Sequence, residues 1–247
     1  MNGSGSQQQL NTRQQPRKQS LFILLLEIAG AFVMSIVISL ALGTIIEWVG
    51  MNYWWKNQGV LHSRDMVIED LGYLQEYRRS LVVDDAVAFA AGLANGVTKT
   101  AQAIGLLAFV QKSQQPMPPT PTASQRSMHS MMSGMGTYFL AAIFVWQDAM
   151  IRLAIIWLAI PAFLIALALG LVDGLARRDI RKWSGGRESS FIYHHAKRML
   201  VPAFTGGFLL YMTWPTGGFN PAWMVLPFCA AAAWTVSLMA ATFKKYL

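Results

Sequence analysis

The chain alternates long uncharged apolar runs with short polar segments, and four of those runs are candidates to cross a membrane. From Ser20 to Val49 an apolar stretch is interrupted only by Glu27 and Glu47. The uncharged part between them suffices, at ~1.5 Å per residue, to cross a hydrocarbon core ~30 Å thick. Residues 20–49 are expected to form a first transmembrane helix, an uncleaved anchor rather than a signal peptide, whose apolar region would be shorter. A second run, Met150–Val172, sits in a segment expected to be helical over 138–172, with an extramembrane end holding Trp146, Asp148 and Arg152. Asp148 and Arg152 stand at i,i+4 in the favourable order. Met199–Trp214 is a third, short run. The uncharged turn at 215–221 after it, and the Lys244-Lys245 pair closing the fourth run at 222–243, predict a hairpin that crosses and returns.

The segment between the first two spans reads differently. Trp48, Tyr53, Trp54 and Trp55 suit a helix leaving the hydrocarbon at headgroup level. Residues 50–111 then predict an external helical domain: one helix capped by Ser63 with Met66, Leu71 and Leu74 at helical spacing, and another from about Asp84 to Gln111. Asn95, Lys99 and Gln102 argue against that second helix as a span. Residues 112–137, rich in Pro, Ser and Met without an apolar period, are expected to be a flexible linker. Residues 1–19 are Gln-rich and carry Arg13, Arg17 and Lys18 with no acid, the composition of a disordered tail.

Charge sets the orientation. Of the twenty Lys and Arg residues, seven fall in Asp173–Arg198 (Arg177, Arg178, Arg181, Lys182, Arg187, Lys197 and Arg198), between two apolar runs. The positive-inside bias puts that loop, the N-terminal tail and the 244–247 tail on the cytoplasmic side. The fold class expected is an all-α membrane protein with four transmembrane helices, both termini cytoplasmic and a helical domain outside between the first and second spans. A hydrophobic content of 54% with 13% charged residues places the chain in the membrane class, so its net charge of +8 speaks for orientation rather than for nucleic-acid binding.

Candidate chemistry is sparse. Cys229 is the single cysteine, which excludes an intrachain disulfide and a Cys-based metal site. No P-loop, G-x-S-x-G or H-E-x-x-H pattern occurs, so catalytic, cofactor and metal residues are all expected to be absent. His194 and His195 are adjacent and would point to different sides of a helix, while His62 and His129 read as isolated loop residues. Glu27 and Glu47 are the intramembrane carboxylates, each near a helix end where it can reach water. They support a rival reading as a small transporter or channel. Two rows of small residues at i,i+4, Ala31, Ser35, Ser39 and Gly43 on the first span and Ala162, Ala166, Gly170 and Gly174 on the second, predict close helix packing, either within this chain or against another protein. Basic residues interleaved with aromatics, as in Arg181-Lys182-Trp183 and Arg187…Phe191…Tyr193, suit membrane lipids or a docked partner.

The segment GLVDGLARRDIRKWSGGRESSFIYHHAKR, with an anchor span before it and an apolar hairpin after it, resembles the DUF4400 family of integrating conjugative element membrane proteins. Arg177, Arg178, Asp179, Arg181, Gly185, Gly186, Arg187, Glu188, Ser189, Ser190, Tyr193, His194 and His195 stand at the positions of that family's common core. The resemblance implies a bacterial inner-membrane component of conjugative DNA transfer, encoded with a coupling ATPase and a type IV secretion apparatus, with no established activity. Joined to the residues, it makes Arg177, Arg178, Asp179, Arg181, Arg187, Glu188, Ser189, Ser190, Tyr193, His194 and His195 a partner-docking loop of a non-enzymatic protein.

Overall fold

The computed structural model describes residues 21–76, 80–117, 119–185, 195–196, 198–199, 206, 208–214, 217 and 219–243. Its regular elements are all helices: α1 (Leu21–Tyr53), α2 (Val60–Glu76), α3 (Ala86–Ala103), α4 (Leu106–Ser113), α5 (Ala123–Trp183) and α6 (Ala222–Thr242). Residues 208–212 form a further helical stretch, and no strand occurs among the described residues. Helices α1, α5 and α6 are long and apolar enough to cross a membrane. Of the expected crossing at 199–214, residues 200–205 and 207 lie outside the described residues.

Helix α5 is the axis, and every other helix packs on it. Its 61 residues extend ~90 Å and pass Pro161 without a break. The flexible linker expected at 112–137 is corrected here, because α4 reaches Ser113 and α5 begins at Ala123. The start of α5 is fixed by a capping box: the Thr122 hydroxyl accepts from the Gln125 N–H, and the Gln125 side chain accepts from the Thr122 N–H. The single helix expected from Asp84 to Gln111 is two. Asp85 caps α3 by accepting from Ala88 N–H, and the chain then breaks at Gly105, whose φ of +77° is cheap only for glycine. Ser63, expected as a cap, lies one turn inside α2 and donates to Val60 O.

The core forms where α3 lies flush on α5. Ala86, Ala90 and Ala94 make one i,i+4 face buried against Ile151, Ala154 and Ile155, with Leu74 of α2 and Tyr211 and Met212 closing the cluster. The small-residue row of α5 meets this chain's own α6. A side chain at Gly170 would overlap the backbone of Ala233, and one at Gly174 that of Ser237, so α5 and α6 approach as closely as backbones allow. Ala166 packs beside Phe163, Cys229 and Ala232, and Ala162 lines a cavity with Ala222 and Val225. On α1, Ser39 is buried and Gly43 faces Val145 of α5, whereas Ser35 is half-buried and donates to Phe32 O. The side chain of Ala31 lies outside the described residues.

These contacts fix depths along the axis. Helix α1 runs antiparallel to α5, with Phe32 in a groove lined by Leu153, Trp157 and Phe163, Gly43 on Val145, and Trp48 Nε1 donating to Tyr138 O at 2.9 Å. Helix α6 runs parallel to it, from Ala222 beside Ala159 to Ser237 beside Gly174. The two helices therefore flank different lengths of α5.

Candidate functional site

Two places concentrate polar chemistry. The first is the basic end of α5, which continues as helix past Val172 to Trp183 and stops where Ser184 N–H bonds Ile180 O and Gly185 turns at φ +66°. Asp173 accepts from Ser237 Oγ at 2.5 Å and pairs with Arg177 Nε at 2.9 Å, which ties the start of this segment to α6. The Arg177 guanidinium lies 5.8 Å from the centre of the Trp234 ring, and that of Arg178 lies 5.8 Å from Phe243. Lys182 Nζ stands 3.4 Å from Asp179, an exposed pair of little energetic weight. Beyond these, Ile180 and Trp183 protrude at i,i+3, with Trp183 92% exposed. The basic segment from residue 173 is helix for its first eleven residues, 173 to 183. His195 is helical and exposed, while Arg187, Glu188, Ser189, Ser190, Tyr193 and His194 lie outside the described residues.

The second is a buried ionic knot at the N-terminal end of the uncharged run of α5. Arg152 is 2% exposed, and its Nε lies 2.8 Å from Asp70 Oδ2 on α2 and 2.9 Å from Asp148 Oδ2 one turn back on α5. Its Nη1 donates to Tyr211 O at 3.0 Å and Trp214 O at 2.5 Å, capping the carbonyl end of the 208–212 stretch. Glu47 of α1, also 2% exposed, pairs through Oε2 with His62 Nδ1 at 3.0 Å, and the His62 ring stacks on Trp55 at 3.9 Å. Ser39, Glu47, Asp148 and Arg152 share the lining of a cavity of about 20 Å³, the size of one water. A guanidinium's planar fork suits this task, because it serves carboxylates and carbonyls in fixed directions at once.

The knot joins residues that the sequence keeps far apart. The Asp148–Arg152 pair is legible from its spacing. His62, expected in a loop, lies on α2; Glu47, expected to reach water, is buried. Asp70 was not among the expected site residues, and its only sequence signal is an acid on the apolar side of α2 between Met66 and Leu74. Among the described residues no group of three or more His, Cys, Asp or Glu is arranged to hold a metal.

Apolar helices of spanning length around one long axis, with an ionic cluster sealed at one end of its uncharged run and a basic stretch at the other, define a helical protein built for association with a membrane. Compared with known families, residues 54–244 match the one described as IncC plasmid conjugative DNA transfer protein DtrJ-like, and the chain belongs to this DtrJ-like family. The match starts just after α1 and includes both the knot's Arg152 and the basic end of α5. No curated protein and no solved structure matches the chain.

Proposed function

We propose that this protein is a non-enzymatic inner-membrane component of a conjugative DNA-transfer machine, which docks the coupling ATPase or another type IV secretion subunit through the basic end of α5 and residues 184–198 after it. The observation that carries the proposal is Trp183, almost wholly exposed on a helix bearing Arg177, Arg178, Arg181 and Lys182. It stands eleven residues beyond Val172, ~16 Å along the helix, farther than a ring anchored at headgroup level needs. Together with Ile180 it gives an apolar anchor inside a basic rim, the composition of a protein-docking patch rather than of a charge anchor for lipid alone. The likeness of this segment to the DUF4400 family belongs to the same reading. So does the topology: both termini cytoplasmic, 199–214 as a crossing, and α2 to α4 in an external domain.

The test is detergent co-purification of the tagged protein from donor cells, with native α5 and with Ile180→Ser plus Trp183→Ser. Loss of the coupling ATPase or of another secretion subunit from the variant's eluate supports docking. The same recovery from both proteins, at equal membrane insertion, contradicts it.

One observation favours a second reading as a small transporter or channel: Glu47 is buried at the side of α1 against His62, within the ionic knot. Glu27 would be the second carboxylate of that reading, and its side chain lies outside the described residues. Neutralising Glu27 and Glu47 together abolishes a transport role and spares a docking role.

A further inference from the structure

Four of the chain's fourteen methionines, Met128, Met131, Met132 and Met135, fall within eight residues in the first turns of α5, with His129 among them. Spacings of three and four residues put all four thioethers on one face of the helix, with neighbouring Cβ atoms ~5–6 Å apart. Met128, Met131 and Met135 are 68%, 68% and 43% exposed, while Met132 and His129 are half-buried. Long apolar side chains gathered on an exposed face point to a role outside the core. Residues 112–137 contain no Asp or Glu.

His129, expected in a loop, lies on the helix, and its ring is already oriented. Its Nε2 stands 2.8 Å from Gln115 O. A carbonyl only accepts, so Nε2 carries the proton of the neutral ring and the lone pair is left on Nδ1. Among the described residues Nδ1 has no hydrogen-bond partner. An imidazole that donates one N–H to a backbone carbonyl and presents its other nitrogen is arranged as metal-ligating histidines are, the outer bond holding tautomer and ring direction. Side chains on a helix lean toward its N-terminus, so Met132 covers the turn that bears Met128 and His129. The capping box at Thr122 fixes this backbone before any ligand arrives.

We infer that Met128, His129 and Met132 form a binding site for a soft monovalent cation, Cu(I), through the two thioether sulfurs and Nδ1, with Met131 and Met135 at its rim. Thioethers favour Cu(I), whereas zinc, calcium and magnesium centres draw on thiolates, several imidazoles or oxygen ligands. All the donors are neutral, which suits a single positive charge. A protein-docking face built from methionine side chains has no need of an oriented imidazole. With one His and no acid or thiol beside it, the site stands apart from any grouping of His, Cys, Asp and Glu. It does not depend on the docking proposed for the basic end of α5, nor on where the membrane lies along that helix.

Anaerobic titration of the full-length protein in detergent tests it, with Cu(I) delivered from a colorimetric chelator that competes for the ion. Cys229, a thiol able to take the same ion, is first replaced by Ala. The Cys229→Ala protein should then withdraw a single Cu(I) per chain. Met128→Leu plus Met132→Leu, which keeps apolar bulk and helix propensity, and His129→Ala should each weaken that binding by at least about tenfold. Met199→Leu, which removes an exposed thioether elsewhere, should leave it unchanged. Circular dichroism checks that the variants keep their helicity, and Met128→Leu alone is read should the double variant lose it. No uptake by the Cys229→Ala protein, undiminished uptake by the methionine and histidine variants, or tighter binding of Zn(II) than of Cu(I) overturns the inference.

Discussion

Arg152 and Asp70 lie 82 positions apart in sequence and 2.8 Å apart in space, both almost wholly buried, and their pairing fastens α2 to the long helix. Replacing Arg152 by Met leaves Asp70 and Asp148 buried with no cation, and strips Tyr211 O and Trp214 O of a donor. Removing one partner of a buried pair costs ~3–5 kcal/mol. Thermal unfolding in detergent should show Arg152→Met strongly destabilised. Arg152→Lys should rescue it only in part, since one ammonium does not reproduce the fork.

Gly170 and Gly174 give a second expectation. Because a methyl at either position meets the backbone of Ala233 or Ser237, Gly170→Ala and Gly174→Ala should each destabilise by ~1–3 kcal/mol. Gly92 and Gly134 have open space around a would-be Cβ, so alanine there should be neutral or stabilising by up to ~1 kcal/mol. Melting temperatures of the four variants check the contrast.

The capping box at the start of α5 predicts ordered backbone where composition reads as linker. Hydrogen exchange over residues 125–137 should be slow in the native protein. Thr122→Ala, which costs about 1 kcal/mol of helix stability, should speed exchange in the first turns only. Uniformly fast exchange across 125–137 in the native protein would contradict the helix.

Glu47→Gln keeps the shape of the side chain and removes its charge. With Glu47 serving as a link to His62, conjugation should persist within a few-fold of the native level, and His62→Ala should act in the same direction with a similarly small effect. Complete loss of transfer in a stably inserted Glu47→Gln protein would favour the transport reading.

Much of the long-helix architecture is legible in the sequence because apolar runs in a membrane-type chain leave few alternatives: the runs ending near Val49, Val172 and Phe243 stand out by length alone. The small-residue rows announce close packing without naming a partner, and that partner is α6 for Gly170 and Gly174. Two features escape such a reading. The prolines and serines from Pro116 to Pro121 hide the helix start immediately after them, although Thr122-Ala-Ser-Gln125 is a capping signature readable from sequence. The knot escapes because its members come from α1, α2 and α5, and each acid alone looks like an interfacial group; only tertiary packing decides that Glu47 and Asp70 are sealed from water.

The central claim, that the basic end of α5 and residues 184–198 dock a partner of the transfer machine, is tested most directly by mating. Donor cells would carry the native protein or a variant in which residues 177–198 keep their composition and net charge in scrambled order, with membrane insertion measured in parallel. Docking predicts that the scrambled variant inserts normally and loses transfer by orders of magnitude. Native transfer frequencies from the inserted variant would show that charge alone suffices, and would contradict the account.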